Sequence, residues 1–186
     1  MEAFVMTPDE KKVMQQSQRY TKWLSQKIFH SVAKTNQRTW TVKRGEVYFV
    51  DLGQNIGSEE NKVRPVVVLQ ANSYNFRSPV FTCAIVSSSP VTIPDIQVPI
   101  TGTYSYTDDK GSSQTLVGAV DLGQIKTIAK ERIVTRKICQ LSTEMDEIDK
   151  KLLNVFGLSP LLSKRDNTIK SLQGKVAYLK SQLSNL

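Results

Sequence analysis

Short apolar runs separated by polar turns dominate the middle of the chain. Residues 46–52 and 64–70 are rich in β-branched and aromatic side chains, which is typical of strands. The segment between them, residues 54–63, combines Gly and Ser turn formers with three charged side chains. The same reasoning predicts further strands over residues 80–86, 96–100, 116–122, 125–128 and 133–141, with a polar, turn-rich segment over 101–115. Many short strands predict a mainly β protein built as a compact barrel with helical additions.

Helical signals precede this region. Thr7 and Glu10 have the spacing of a capping box, and Pro8 suits the first turn of a helix. Apolar residues then recur every three or four positions, which predicts one helix over residues 8–33. Residues 34–43 are predicted to link this helix to the barrel.

Helical signals also follow the strands. A short helical turn is predicted over residues 129–133, and Ser142 is a suitable N-cap for a closing helix that ends at Gly157. The tail shows the alternating three- and four-residue spacing of a heptad seam. Its apolar positions are Ile169, Leu172, Val176, Leu179, Leu183 and Leu186. This seam predicts a helix that packs on the barrel or on a second chain.

The net charge of +8 lies at the two ends of the chain. Lys and Arg outnumber Asp and Glu by 8 to 3 over residues 1–43 and by 5 to 1 over 158–186, but are 12 against 13 over 44–157. These segments are predicted to be a helical N-terminal extension, a heptad-patterned C-terminal extension and a barrel domain, respectively. Basic ends can bind nucleic-acid phosphates, and they fit a solvated face that aids solubility equally well.

Several protein classes are disfavoured. No apolar run approaches the roughly 20 residues of a membrane helix, and the first residues lack the apolar stretch of a signal peptide. Cys83 and Cys139 form neither a metal motif nor a disulfide framework, which favours the reducing cytoplasm. The single His30 lies outside the predicted barrel, so the barrel cannot build a Ser-His-Asp triad. Any enzyme on this barrel is therefore expected to use no metal and no cofactor.

One reaction suits so few functional groups. RNA carries its own nucleophile, the 2′-hydroxyl beside each phosphodiester, so a protein needs only to align it, move a proton and stabilise charge on phosphate. An arginine fork can bind two phosphate oxygens, and a hydroxyl can complete the cradle. Arg64 and Ser87, at the ends of two predicted strands, are the candidates. Without further information, Arg64 fits a surface ion pair with Glu59 or Glu60 equally well.

Four segments, in this order, resemble the MazF/PemK toxins of bacterial type II toxin–antitoxin systems. They are RGEVYFVDL (44–52), GSEENKVRPVVVLQ (57–70), SPVFTCAIVSS (78–88) and GAVDLGQIKTIAKERI (118–133). The resemblance covers about residues 44–157. It implies a small SH3-like, CcdB-like barrel and a homodimer. It also implies a sequence-selective, metal-independent endoribonuclease for single-stranded mRNA, inhibited by a small antitoxin whose disordered tail crosses the RNA groove.

The resemblance also assigns roles to residues. The family's catalytic arginine falls on Arg64, its strand-end hydroxyl residue, usually threonine, on Ser87, and the glutamate of its GSE loop on Glu59. PemK-type members have an acidic residue immediately before the glutamine that corresponds to Gln124. This chain has Gly123 at that position, so the MazF-like set of Arg64 and Ser87 is favoured. The expected RNA contacts are Ser58, Lys62, Arg77, Ser88 and Gln124.

Two other functions fit the same barrel. A non-catalytic regulator that binds nucleic acid or an antitoxin is one, because Ser87 replaces the usual threonine and both ends are additions. A gyrase poison, as CcdB is, is the other, although the Arg64–Pro65 motif disfavours it. Cleavage of RNA in the presence of a chelator separates these possibilities.

Overall fold

The computed structural model describes residues 6–32, 40–89 and 91–184. The helices are α1 (Pro8–Val32), α2 (Asn72–Asn75), α3 (Met145–Val155) and α4 (Ser159–Leu183), with a 3₁₀ turn over Lys130–Arg132. The strands are β1 (Glu46–Asp51), β2 (Val63–Val68), β3 (Val80–Ser87), β4 (Gln97–Pro99), β5 (Ser105–Thr107), β6 (Ser113–Thr115), β7 (Ala119–Ala129) and β8 (Cys139–Gln140). The prediction of a mainly β protein with helices is confirmed.

Six of the strands form one curled antiparallel sheet in the order β4-β7-β3-β2-β1-β8. Side chains alternate across a strand, so each strand can contribute to a core on both faces of the sheet. One face buries Tyr48, Val50, Val66, Phe81, Cys83 and Ile85. The other face buries Val47, Val67, Ala84, Val120 and Ile148, the last from α3. The sheet is therefore a half-barrel held by two cores.

Helix α1 begins as its capping box predicts. The Thr7 amide donates to the Glu10 carboxylate at 2.8 Å, and the Glu10 amide donates back to the Thr7 hydroxyl at 3.3 Å. The predicted apolar stripe of α1 is not buried, since Val13 and Leu24 are 67% and 57% exposed. The predicted linker 34–43 is described only over its last four residues, where Val42 is buried in the barrel core.

Three local predictions are wrong. Residues 101–115 are not only turns, because they contain the hairpin β5–β6. The strand predicted over 133–141 pairs only at β8 and through a bridge at Ile133, because in between the Phe49 amide donates to the Thr135 hydroxyl at 3.2 Å instead of to a backbone carbonyl. Glu144, not Ser142, occupies the N-cap position of α3, and the Ser142 amide instead donates to the Tyr104 hydroxyl at 3.2 Å.

Strand β7 differs in detail from the prediction, whereas the end of α3 agrees with it. The strands predicted on either side of Gly123 form the single strand β7, with a bulge where the register shifts between Ala84 and Ile85 of its partner. Gly157 ends α3 with a positive φ of 65°, as predicted.

Helix α4 is exposed along most of its length. Every described residue from 163 to 184 is exposed, including Leu172 at 55% and Leu179 at 59%. Leu186 of the predicted seam lies outside the described residues. Within the described ranges, no helix is both long and apolar enough to cross a membrane.

Candidate active site

Strand pairing brings Arg64 and Ser87 to equivalent positions. Strands β2 and β3 are antiparallel, and their last registered pair in this direction is Val66 with Ile85. Arg64 lies two residues before this pair on β2 and Ser87 two residues after it on β3, so the two residues are at adjoining ends of the strands. Because positions two apart share a face, both side chains belong to the same face as Val66 and Ile85. The two predicted catalytic residues therefore lie on one face, at the same corner of the half-barrel.

The loop over residues 53–62, which joins β1 to β2, borders this corner. It is closed at its base by hydrogen bonds at 2.8 Å from the Lys62 amide to the Gly53 carbonyl and from the Leu52 amide to the Lys62 carbonyl. Asn55 braces it from inside, since its Nδ2 donates to the carbonyls of Glu60 at 2.6 Å and Leu52 at 3.3 Å. Among the described non-glycine residues, only Lys62 has a positive φ (65°), which places it at a tight reversal of the chain.

Gln124 ties the same loop to β7. Its Oε1 accepts a hydrogen bond from the Glu60 amide at 2.7 Å, and its Nε2 donates to the Ser58 carbonyl at 3.3 Å. In this arrangement both functional atoms of the Gln124 amide are bonded to the loop. Gln124 thus holds the backbone around the predicted site residues Ser58 and Glu59.

Two ion pairs link the charged side chains of the site. Arg64 Nε lies 2.9 Å from Glu60 Oε2, with 43% of the arginine side chain exposed. Lys126 Nζ lies 2.8 Å from Glu59 Oε2, with 58% of the glutamate side chain exposed. Pairs this exposed contribute only ~0–1 kcal/mol each. An incoming phosphate can therefore take over the Arg64 guanidinium at little cost.

Ser87 is positioned by a glycine that immediately precedes the neighbouring strand β7. It pairs with Ala119, and a side chain on the preceding Gly118 would overlap the Ser87 carbonyl. Gly118 also has a φ of 113°, which L side chains rarely adopt. The Ser87 hydroxyl accepts a hydrogen bond from the Ser89 amide at 3.2 Å, and the neighbouring Ser88 is exposed. Ser87 Oγ can still donate its own proton to a ligand.

Arg77 is the one predicted site residue that the structure keeps apart. It follows α2, at the end of β2 opposite to Arg64, where it lines a shallow groove with Ser73 and Tyr74. The buried Lys130 fixes this end of the barrel, because its Nζ donates to the Asn75 carbonyl at 2.9 Å. Ser58, Glu59 and Lys62 instead lie on the loop beside Arg64.

Other reactive side chains are poorly placed for chemistry. Burial raises the pKa of the Cys83 thiol to about 12 and that of Cys139 to about 11, so neither is a ready nucleophile. In the part of the chain that is described, no three His, Cys, Asp or Glu side chains are arranged to hold a metal ion. The arrangement at Arg64 and Ser87 offers charge stabilisation and hydrogen bonding rather than a protein nucleophile.

Sequence reasoning missed two contributors to the site. Lys126 was not anticipated, although its position on β7 two residues after Gln124 puts both side chains on one face. Trp23 was not among the predicted site residues, but its indole ring lies against Gly53 at the base of the loop. Neither contact could be inferred without the register of β7 and the position of α1.

Comparisons with known proteins identify the relatives of this chain. A family model described as "PemK-like, MazF-like toxin of type II toxin-antitoxin system" matches residues 43–156. Endoribonuclease EndoA of Bacillus subtilis (strain 168) is 40% identical over 112 residues, which are 60% of this chain and 90% of that protein. The family match includes the sheet and α3 but neither α1 nor α4.

Two solved structures are similar at lower identity. An endoribonuclease of a mycobacterial species in complex with its cognate antitoxin is 22% identical, with a TM-score of 0.49 over 63% of this chain and 96% of that chain. MazF from Deinococcus radiodurans is 16% identical, with a TM-score of 0.48 over 63% of this chain and 98% of that chain.

Proposed function

Since the chain belongs to the PemK-like, MazF-like family of type II toxin–antitoxin toxins, we propose that it is a cytoplasmic, sequence-selective endoribonuclease that cuts single-stranded mRNA. The 40% identical relative EndoA is named an endoribonuclease. The observation that carries the proposal is that Arg64 and Ser87 lie on one face, at adjoining ends of the antiparallel strands β2 and β3, beside loop 53–62. We further propose that the half-barrel is of the SH3-like, CcdB-like type.

The proposed reaction uses the RNA's own 2′-hydroxyl as nucleophile. The oxygen attacks the adjacent phosphorus, the 2′-proton is removed, and the 5′-oxygen of the next nucleotide leaves and takes up a proton. Arg64 leaves Glu60, binds two phosphate oxygens through its planar fork and stabilises the charge that grows on them. The Ser87 hydroxyl donates to one of the same oxygens. Every step is supplied by protein side chains and the substrate.

Glu59 is the proposed proton-handling group. It is held by Lys126 in a pair that is 58% exposed on the glutamate side, so it can reach a substrate without breaking a buried interaction. Ser58, Lys62, Ser88 and Gln124 are proposed to contact RNA around the scissile phosphate. Arg77 lies at the other end of β2 and is proposed to contact a phosphate further along the strand.

The central test is cleavage of a single-stranded RNA in excess EDTA. Arg64→Ala should abolish cleavage, and Arg64→Lys should restore little of it, because a lysine cannot bind two oxygens in one plane. Arg136→Ala is the matched control, since this arginine is exposed on the segment between Ile133 and β8. Binding without cutting by the wild-type chain would favour the non-catalytic regulator, and cleavage by Arg64→Ala at the native rate would refute the assigned site.

The proposed partners are a second copy of the chain and a cognate antitoxin. A solved relative is described in complex with its cognate antitoxin, which supports looking for the same partner here. An antitoxin segment that crosses the corner at Arg64 would block RNA directly. The basic extensions over residues 1–43 and 158–186 are proposed to add phosphate contacts without reading bases.

A further inference from the structure

Helix α1 lies outside the region matched by the family, yet it contacts the loop of the candidate site. The indole ring of Trp23 lies so close to Gly53 that a methyl group added at Gly53 would overlap it. Tyr20, one turn earlier, donates from its hydroxyl to the Asn55 carbonyl at 3.4 Å. Both contacted residues belong to loop 53–62, at and just after its base.

Arg132 makes a second contact with Trp23. The Arg132 guanidinium lies 5.3 Å from the centre of the Trp23 ring, within the range of a cation–π interaction. Arg132 is itself oriented by a hydrogen bond of 2.6 Å from its Nε to the Asp51 carbonyl. The Asp51 carboxylate in turn accepts from the Gly53 amide at 2.9 Å. Trp23 therefore contacts both a fixed guanidinium and the first residue of the loop.

The contact leads on to Arg64 through hydrogen bonds. Asn55, which Tyr20 touches, donates from its side chain to the Glu60 carbonyl at 2.6 Å. The Glu60 carboxylate holds Arg64 at 2.9 Å. A shift of the loop base under Trp23 would therefore move the residue that positions the predicted catalytic arginine.

The docking of α1 depends on few side chains. Trp23 and His30 are the two least exposed residues of α1, and they are seven apart, which places them on one face. His30 Nε2 lies 3.8 Å from Asp51 Oδ2, at the same corner. Because the contact area is small, removing the Trp23 indole should release the helix from the loop while leaving both cores of the half-barrel intact.

We propose that Trp23 is a positioning residue for RNA cleavage, which keeps loop 53–62 ordered so that Arg64, Ser58 and Lys62 face the substrate. The inference rests on the proposed function. If the loop is ordered in only a fraction of the molecules, the apparent affinity for RNA falls by that fraction, whereas saturating RNA can still select the ordered state. Loss of Trp23 should accordingly raise KM and leave kcat nearly unchanged. A merely structural defect would lower the apparent kcat and leave KM unchanged, since it lowers the amount of active protein.

The test compares Trp23→Ala with Leu24→Ala in the full-length chain. Leu24 is the adjacent helix residue and is 57% exposed, so it is a matched control. Trp23→Ala should raise hydrogen exchange of the amides of residues 54–61 but not those of β3, and should raise KM for RNA about 3- to 10-fold with kcat within about 2-fold. Trp23→Phe, which retains an aromatic ring beside Gly53, should restore most of the wild-type loop protection and KM.

The outcomes are distinguishable. Unchanged loop exchange in Trp23→Ala, or an equal change in Leu24→Ala, would overturn the proposed contact. Faster loop exchange with an unchanged KM would overturn the link to RNA. If the wild-type chain cuts no RNA, the proposed function fails, while the exchange measurement still decides whether α1 orders the loop.

Discussion

Replacing Glu144 by glutamine should destabilise the half-barrel, because this carboxylate joins α3 to the segment that leads into the hairpin β5–β6. Glu144 is only 3% exposed. It accepts hydrogen bonds from the Thr101 amide at 2.8 Å, the Gly102 amide at 2.9 Å and the Tyr104 hydroxyl at 2.7 Å. Glutamine has nearly the same shape but carries no charge, so the substitution isolates the contribution of the ionised group.

The magnitude follows from the number of bonds. Hydrogen bonds to a charged group contribute about 1.5–3 kcal/mol each, against about 0.5–1.5 kcal/mol for neutral ones. The amide oxygen of a glutamine can still accept from one or both backbone amides, and Tyr104 can reorient to accept from the new NH₂ group. The loss is then about 1 kcal/mol for each of two or three bonds, or about 2–3 kcal/mol in all. For a chain of this size such a loss lowers the Tm by roughly 4–12 °C.

The pH dependence gives an independent check. Burial raises the pKa of Glu144, but hydrogen bonds from Gly102, Tyr104 and Thr101 outweigh it, so the pKa in the folded protein is below its ordinary value of 4.5. A lowered folded-state pKa contributes stability above pH 4.5 that is lost as the pH falls through the folded-state value. The free-energy difference between wild type and Glu144→Gln should therefore be full at pH 7 and shrink in acid.

Urea denaturation at pH 7 and at successively lower pH, followed by circular dichroism, measures both quantities. Glu147→Gln is the control, since Glu147 is on the same helix but 48% exposed and should change stability by less than ~1 kcal/mol. A loss below about 0.5 kcal/mol at pH 7, or a difference that does not depend on pH, would show that the charge of Glu144 contributes little.

Three further predictions concern the site and the ends. Ser87→Ala should lower kcat/KM for RNA by about one to two orders of magnitude, since a charge-assisted hydrogen bond is worth about 1.5–3 kcal/mol. Ser87→Thr should retain activity, and an unchanged rate in the alanine variant would remove Ser87 from the mechanism. Gly118→Ala should also impair cleavage because the methyl group overlaps the Ser87 carbonyl, whereas Gly174→Ala on α4, with open space around it, should be neutral in the same assay. A chain trimmed to residues 40–157, which keeps the buried Val42, should bind RNA more weakly and with a flatter salt dependence but cut at the same sequences; equal salt slopes would refute phosphate contacts by the ends.

The segments most readily predicted were those whose signals are local. The capping box of α1 depends on residues three apart, and the ends of β1 and β3 coincide with changes from apolar to polar sequence. By contrast, the hairpin β5–β6 was missed because its strands are short and largely exposed, so no apolar alternation marks them. The strand predicted over 133–141 was wrong for the opposite reason. Its apolar and polar residues do alternate, but its backbone pairs with β1 only near the two ends of the segment.

The residues of the candidate site follow the same division. The sequence by itself determined which residues are the candidates for the chemistry, because Arg64 and Ser87 stand at predicted strand ends in a recognisable order. Only the tertiary structure decided how these candidates are grouped. The β2–β3 pairing sets Arg64 and Ser87 at the same end of the sheet, α2 takes Arg77 to the far end, and Trp23 contacts the loop from outside the family region. The physical reason is that capping and alternation arise between neighbours in the chain, whereas register and docking are chosen by contacts between distant segments once both have formed.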